Sequence, residues 1–134
     1  MLKANSIIAF VATTNQARAR EFYANTLGLR FVSENQFAVV FDAAGIMLRV
    51  TPVQKFQPAE FTVLGWIVKD TAKEVREFAK RGVKFRRYDW MEQDEDGVWT
   101  SPDNAKVAWF EDPDGNVLSL TQFGRGKAKR ARLK

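Results

Sequence analysis

The sequence predicts a mixed α and β chain made of two successive strand-helix-strand-strand-strand units, and three observations carry the prediction. REFYANTLGLRF at 20–31 returns as REFAKRGVKF at 76–85, which points to duplication of a unit of about 55 residues. Each copy follows an apolar strand pattern and a helix-capping residue, Asn15 in one and Asp70 in the other. Each also closes on a hairpin signal, DAAG at 42–45 and DPDGN at 112–116, with glycine where a turn needs a left-handed backbone.

The elements follow in order. SIIAFVAT at 6–13 reads as a strand, and Asn15 starts a helix to about residue 26, with Ala17, Ala19, Phe22, Tyr23 and Leu27 near helical spacing. After Gly28 come strands at 29–34, 36–43 and 45–53, then the linker QKFQPAE. The second copy runs through a strand at 62–68, a helix from Asp70 to about residue 80, and a strand beginning at KFRRY. It ends with KVAWFE, the DPDGN turn and VLSLTQF, while 88–105, rich in acids, turn formers and two Trp, is the least legible stretch. The whole is expected to form one domain over 1–123, with repeats at about 6–53 and 62–123, followed by a tail at 124–134.

Composition narrows the chemistry. A chain of 134 residues is long enough for a real core, and it holds no apolar run of the roughly 20 residues a membrane span requires. The N-terminus does not read as a signal peptide. There is no cysteine, so disulfides and thiolate chemistry are excluded, which fits a cytoplasmic setting. The net charge of +5 is concentrated in GRGKAKRARLK, which holds six of the 21 Lys and Arg and leaves 15 basic against 16 acidic side chains elsewhere. That tail has too little apolar surface to order itself. Nonspecific polyanion contact is its functional alternative, and Gly124, Gly126 and Lys127 do not have phosphate-loop spacing.

The paired units, the REFY…LGL helix exit and the closing WFEDPDGN hairpin resemble the vicinal oxygen chelate superfamily of glyoxalase, bleomycin-resistance and extradiol-dioxygenase proteins, over residues 6–123. The resemblance implies an α+β fold of paired β-α-β-β-β units whose sheets curl into half-barrels around a central cleft. It also implies homodimers, and a divalent metal held by four side chains, mostly His and Glu. Carried over, those positions are Ile8, Arg49, Val63 and Ser119. Hydrocarbon side chains cannot coordinate a metal, a guanidinium lacks a usable lone pair, and a lone serine hydroxyl is a poor ligand. With no histidine in the chain, an imidazole site is impossible in any alignment. Asp112, Asp114 and Asn116 mimic the start of a calcium loop but are followed by Val117 and Phe123 where such a loop needs Gly and Glu. EQDED at 92–96 is expected to be a solvated charge run, with weak hard-cation binding as its alternative.

Strand alternation then says what the cleft would hold. Ile8 and Phe10, Met47 and Arg49, Val63, Ser119 and Thr121 share its side, with Trp109, while Trp90, Met91 and Trp99 come from the illegible segment. Val11 and Trp66 should face the helices. For Trp90, Met91 and Trp99, ordinary packing competes with ligand contact. Such a lining suits a small, partly aromatic ligand. Arg49 wants either an internal acidic partner or an anionic group on a ligand. The reading is a metal-free small-molecule binding protein of the bleomycin-resistance type, without catalytic residues, metal or cofactor, soluble and homodimeric. Its alternatives are an enzyme of the superfamily's lyase or isomerase kind working without the usual metal, and an interaction module acting through a dimer surface or the basic tail.

Overall fold

A computed structural model describes residues 1–124; the tail expected at 124–134 falls, but for Gly124, outside the described residues. The chain forms two units, one of 1–59 together with 112–116, the other of 60–111 with the chain from residue 117. In sequence, 112–116 joins the last two strands of the second repeat; in space it belongs to the first unit.

The first unit runs β1 (Ile8–Thr13), α1 (Gln16–Glu21), β2 (Arg30–Asn35), β3 (Ala38–Ala43) and β4 (Ile46–Pro52), in sheet order β1-β4-β3-β2. The second runs β5 (Thr62–Ile67), α2 (Thr71–Lys80), β6 (Trp99–Thr100), β7 (Lys106–Glu111) and β8 (Val117–Gln122), in order β5-β8-β7-β6. Each is a four-stranded mixed sheet with its first and last strands paired in parallel and the rest antiparallel, so neither closes into a barrel. The α+β class and the duplicated order are those the sequence predicts. Among the described residues, no helix is long and apolar enough to cross a membrane.

Strand alternation decides the core. In the first unit Val11, Val39, Phe41, Leu48 and Val50 are buried with Ala19 and Tyr23, and α1 lies against β3 and β4. In the second, Val75 and Phe78 of α2 are buried with Ala108, Phe110, Leu118 and Leu120, and Phe78 meets Phe110 edge-on at 5.7 Å. Each large side chain so covered contributes about 1.5–3 kcal/mol of apolar burial. Val11 is buried as expected and Trp66 is half-buried.

Three expectations are corrected. The first helix is α-helical only to Glu21; 22–26 widens into a π-turn in which Leu27 N donates to Phe22 O at 2.9 Å, an i to i+5 bond that helical periodicity does not signal. KFRRY does not start a strand: only Phe85 bridges to Phe110. The Gln93 side chain takes the backbone groups beyond it, accepting from Tyr88 N at 2.8 Å and donating to Arg86 O at 3.0 Å. The missing strand is β6, two residues inside the least legible segment. Finally, DAAG is a two-residue turn rather than a copy of DPDGN. Ala43 faces Ile46 across it, and Ala44 and Gly45 have φ of 55° and 87°, the left-handed pair of a type I′ hairpin.

The DPDGN turn does more than reverse the chain. Gly115 takes φ 88°, the left-handed position that glycine occupies without strain. Asp112 is buried, and its Oδ2 accepts from Tyr23 OH at 2.6 Å and Asn116 Nδ2 at 2.8 Å. Its Oδ1 accepts from the backbone of Asp114 and Asn116. Asp114 accepts from Thr13 Oγ1 at 2.6 Å, from Thr14 N and Oγ1 at 2.8 and 2.7 Å, and from Arg18 at 3.1 Å. Asn116 Nδ2 also donates to Ala12 O at 2.9 Å.

Candidate functional site

Each sheet has one face against its helix, and the predicted site residues that lie on strands fall on the opposite faces, while Trp90 and Met91 lie in the loop before β6. In the first unit the parallel register sets Ile8 beside Met47 and Phe10 beside Arg49, and β3 sets Val40 on the other side of Arg49. Ile8, Phe10 and Met47 are exposed, Phe10 to 60%, an unusual state for large apolar side chains drawn together on one face. A depression of about 280 Å³ is lined by Phe10, Val11, Ala12, Thr51 and Val53. Another, of about 260 Å³, is lined by Val40, Met47, Val32, Ile46 and the Arg30–Asp42 pair among others. Arg49 stands between the two, since its strand neighbours Phe10 and Thr51 line one, and Val40 and Met47 the other.

Arg49 is half-buried and has neither a hydrogen bond nor an ion pair among the described residues. The arginines that do pair use Asp114, Glu34, Asp42, Asp96 and Glu111. Of the two readings of Arg49, the internal ion pair is therefore not formed within the described residues.

On the open face of the second sheet, Ser119 lies between Gly65 on β5 and Trp109 on β7, and Thr121 beside Ile67 and Val107. Trp99 faces Val107. Val63 sits at a register shift between Thr62 and Leu64 and is 39% exposed. The Trp109 ring meets Tyr88 edge-on at 5.6 Å and Trp99 at 6.2 Å, and Tyr88 in turn meets Trp90 at 5.6 Å. Trp90 is 78% exposed and joins the row only through Tyr88, while Met91 is half-buried and takes part in no ring contact. Tyr88 is the residue sequence reasoning missed. It ends the KFRRY pattern that predicts a strand, and no periodicity marks a ring that packs from a loop.

Some charged groups of this unit are paired. Glu111 pairs with Arg86 at 3.4 Å, and Arg86 lies 5.1 Å over the Tyr88 ring. In the acidic loop, Asp94 accepts from the backbone of Asp96 and Val98, and Asp96 pairs with Arg76. Among the described residues, no three or more His, Cys, Asp or Glu side chains gather as a metal site would require. The four carried-over positions do not fit a metal either. Ile8 and Val63 are hydrocarbon, Arg49 is a cation, and Ser119 offers a single hydroxyl.

Solved structures share this architecture. A member of the glyoxalase/bleomycin resistance protein/dioxygenase superfamily from Sphaerobacter thermophilus superposes with a TM-score of 0.72 at 24% identity, covering 91% of this chain and 99% of that one. A lactoylglutathione lyase from Agrobacterium tumefaciens gives 0.70 at 15%, covering 94% and 97%. A glyoxalase/bleomycin resistance protein/dioxygenase from Nocardioides gives 0.69 at 16%, covering 94% and 87%. At these identities the likeness concerns the fold. No curated protein matches the sequence. The sequence model of the glyoxalase/bleomycin resistance protein/dioxygenase superfamily matches residues 5–120, and the chain belongs to that superfamily.

Proposed function

We propose that this chain is a metal-free small-molecule binding protein whose first unit takes a ligand with an apolar body and an anionic group. One observation carries the reading: a guanidinium without an acidic partner among the described residues, on the same sheet face as the exposed Phe10 and Met47. A charge held on such a face without a counter-ion gains more from an anion than one already paired, and guanidinium geometry matches carboxylate or phosphate with two parallel hydrogen bonds. Phe10 and Met47 would cover the ligand's body. The superfamily's metal chemistry has no donors here, so binding rather than turnover is the role proposed. The exposed apolar faces also favour association of two copies, in keeping with the homodimer that the resemblance implies.

The test is titration with 1-naphthoate, a planar carboxylate, followed by calorimetry. Arg49→Ala should weaken binding about 10- to 100-fold, the range of one charge-assisted interaction, with folding preserved. Equal affinity in the variant would overturn the reading.

A further inference from the structure

The loop before β6 carries the acids Asp89, Glu92, Asp94, Glu95 and Asp96. Among the described residues, Asp96 alone of these is in an ion pair, with Arg76 at 3.4 Å. The neighbouring cations do not answer the rest: Arg87 donates to the backbone carbonyls of Asp94 and Glu95, and Arg86 pairs with Glu111. The loop is thus tied in shape and left negative. Beside it lies a groove of about 370 Å³ lined by Glu92, Gln93, Asp94, Val98, Trp99 and Thr100. Consecutive strand residues point to opposite faces, so a groove that touches both Trp99 and Thr100 follows the edge of β6 rather than either face of its sheet. β6 ends the order β5-β8-β7-β6 and has no strand beyond it among the described residues. Such an edge offers backbone groups to another stretch of chain.

The chain itself supplies a stretch of opposite charge within reach. Thr100, Lys106 and Gln122 stand in one row across β6, β7 and β8, so with strands about 4.8 Å apart the groove begins about 10 Å from the end of β8. Past Gln122 the chain passes over the turn that joins β6 to β7, where a Cβ built on Gly124 would lie 3.0 Å from Asp103 O and 3.5 Å from Asn104 O. Residues 125–134, outside the described residues, follow at once and carry Arg125, Lys127, Lys129, Arg130, Arg132 and Lys134 with no acid. Ten residues span at most about 33–36 Å, several times the gap. Tethering over so short a distance gives an effective concentration in the millimolar range, so that individually weak exposed ion pairs add up. We propose that residues 125–134 dock along the edge of β6 with their cations on the acids of 89–96, as a strap that closes the groove and withholds the tail from outside polyanions. The contact does not involve Arg49, so it stands or falls separately from the anion reading.

The experiment uses the full chain and two double variants of equal charge change. Glu92→Gln with Glu95→Gln alters the loop, and Glu21→Gln with Glu60→Gln alters acids outside it. In the native chain, raising salt from about 20 mM to about 0.5 M should move the NMR amide signals of 125–134, because salt screens exposed ion pairs. The loop variant should show little of this movement and the control variant all of it. The signals should not change on dilution, since the contact lies within one chain. The loop variant should also bind a DNA duplex about 2- to 10-fold more tightly than the native chain, the range for releasing two exposed ion pairs, and the control variant should bind it as the native chain does. Equal salt responses in the native chain and the loop variant, signals that change with protein concentration, or duplex binding tightened equally by both variants would overturn the proposal.

Discussion

The two repeats share strand order, parallel closure and a helix on one face, yet they treat two equivalent features in opposite ways. In the last strand of the first repeat an arginine stands beside Phe10; in that of the second a serine leans over Gly65. The first repeat's hairpin is a two-residue turn whose Asp42 is half-exposed and pairs with Arg30 on its own sheet. The second repeat's hairpin is longer, buries Asp112, and joins the unit formed by the other repeat. Backbone topology survives duplication because it depends on apolar alternation and turn glycines, which tolerate many side chains. Binding chemistry and docking depend on single residues, and those have diverged.

The largest expected effect breaks the comparison between turns. Asp112→Ala removes the acceptor of Tyr23 OH and of Asn116 N and leaves these buried donors without partners, each at a cost of about 1–3 kcal/mol. A loss on the order of 3 kcal/mol in urea unfolding is expected for the variant. Asp42→Ala, at an exposed site, should leave the midpoint close to that of the native protein. Equal losses would mean that the second turn is as local as the first.

This contrast also shows what the sequence could and could not say. The capping residues Asn15 and Asp70, the alternation of β1 and β4, and the turn glycines all have local signatures, and each occurs where the sequence places it. The open-face positions of Arg49, Ser119 and Trp109 were legible because a side chain's face follows from strand parity once register is known. Asp112 was legible as a turn residue but not as the partner of Tyr23, because that contact spans 89 positions and has no local pattern. The π-turn, the Gln93 bonds that replace a strand and the packing of Tyr88 were illegible for the same reason. They depend on tertiary competition for backbone groups and rings. That Arg49 has no acidic partner among the described residues is likewise a property of its neighbours, and a sequence alone leaves both of its readings open.

A smaller effect tests the difference between the strand partners of Arg49 and Ser119. Gly65→Ala would place a methyl 2.3 Å from Ser119 Oγ, so the serine has to give way by turning aside. Strain of about 1–3 kcal/mol is expected. Phe10→Ala, at a ring already 60% exposed, should cost well below about 1 kcal/mol in stability while weakening 1-naphthoate. Thermal melts and the 1-naphthoate titration separate these outcomes. A Gly65→Ala protein of native stability would show that Ser119 is not packed closely against Gly65.

The subtlest test concerns the first unit's two limits in pH. Burial, then the charge of Asp112 and the hydrogen bond to it, push the Tyr23 phenol well above its ordinary range. A raised folded-state value means a stabilising contribution that is complete below the unfolded tyrosine value, about 10, and lost as pH rises through the folded one. Asp114 behaves in the opposite sense. Burial alone would raise its carboxyl, but the hydrogen bonds from Thr13 and Thr14 and the Arg18 charge outweigh it and hold it below the usual carboxylate range. Its contribution is present above the unfolded aspartate value, about 3.9, and fades as pH falls through the lower folded value. Tyr23→Phe should therefore flatten the alkaline limb of a stability profile and spare the acid limb, and Asp114→Asn should do the reverse. If both variants changed the same limb, Tyr23 and Asp114 would be titrating as one coupled group rather than as two separate anchors of the second repeat's turn.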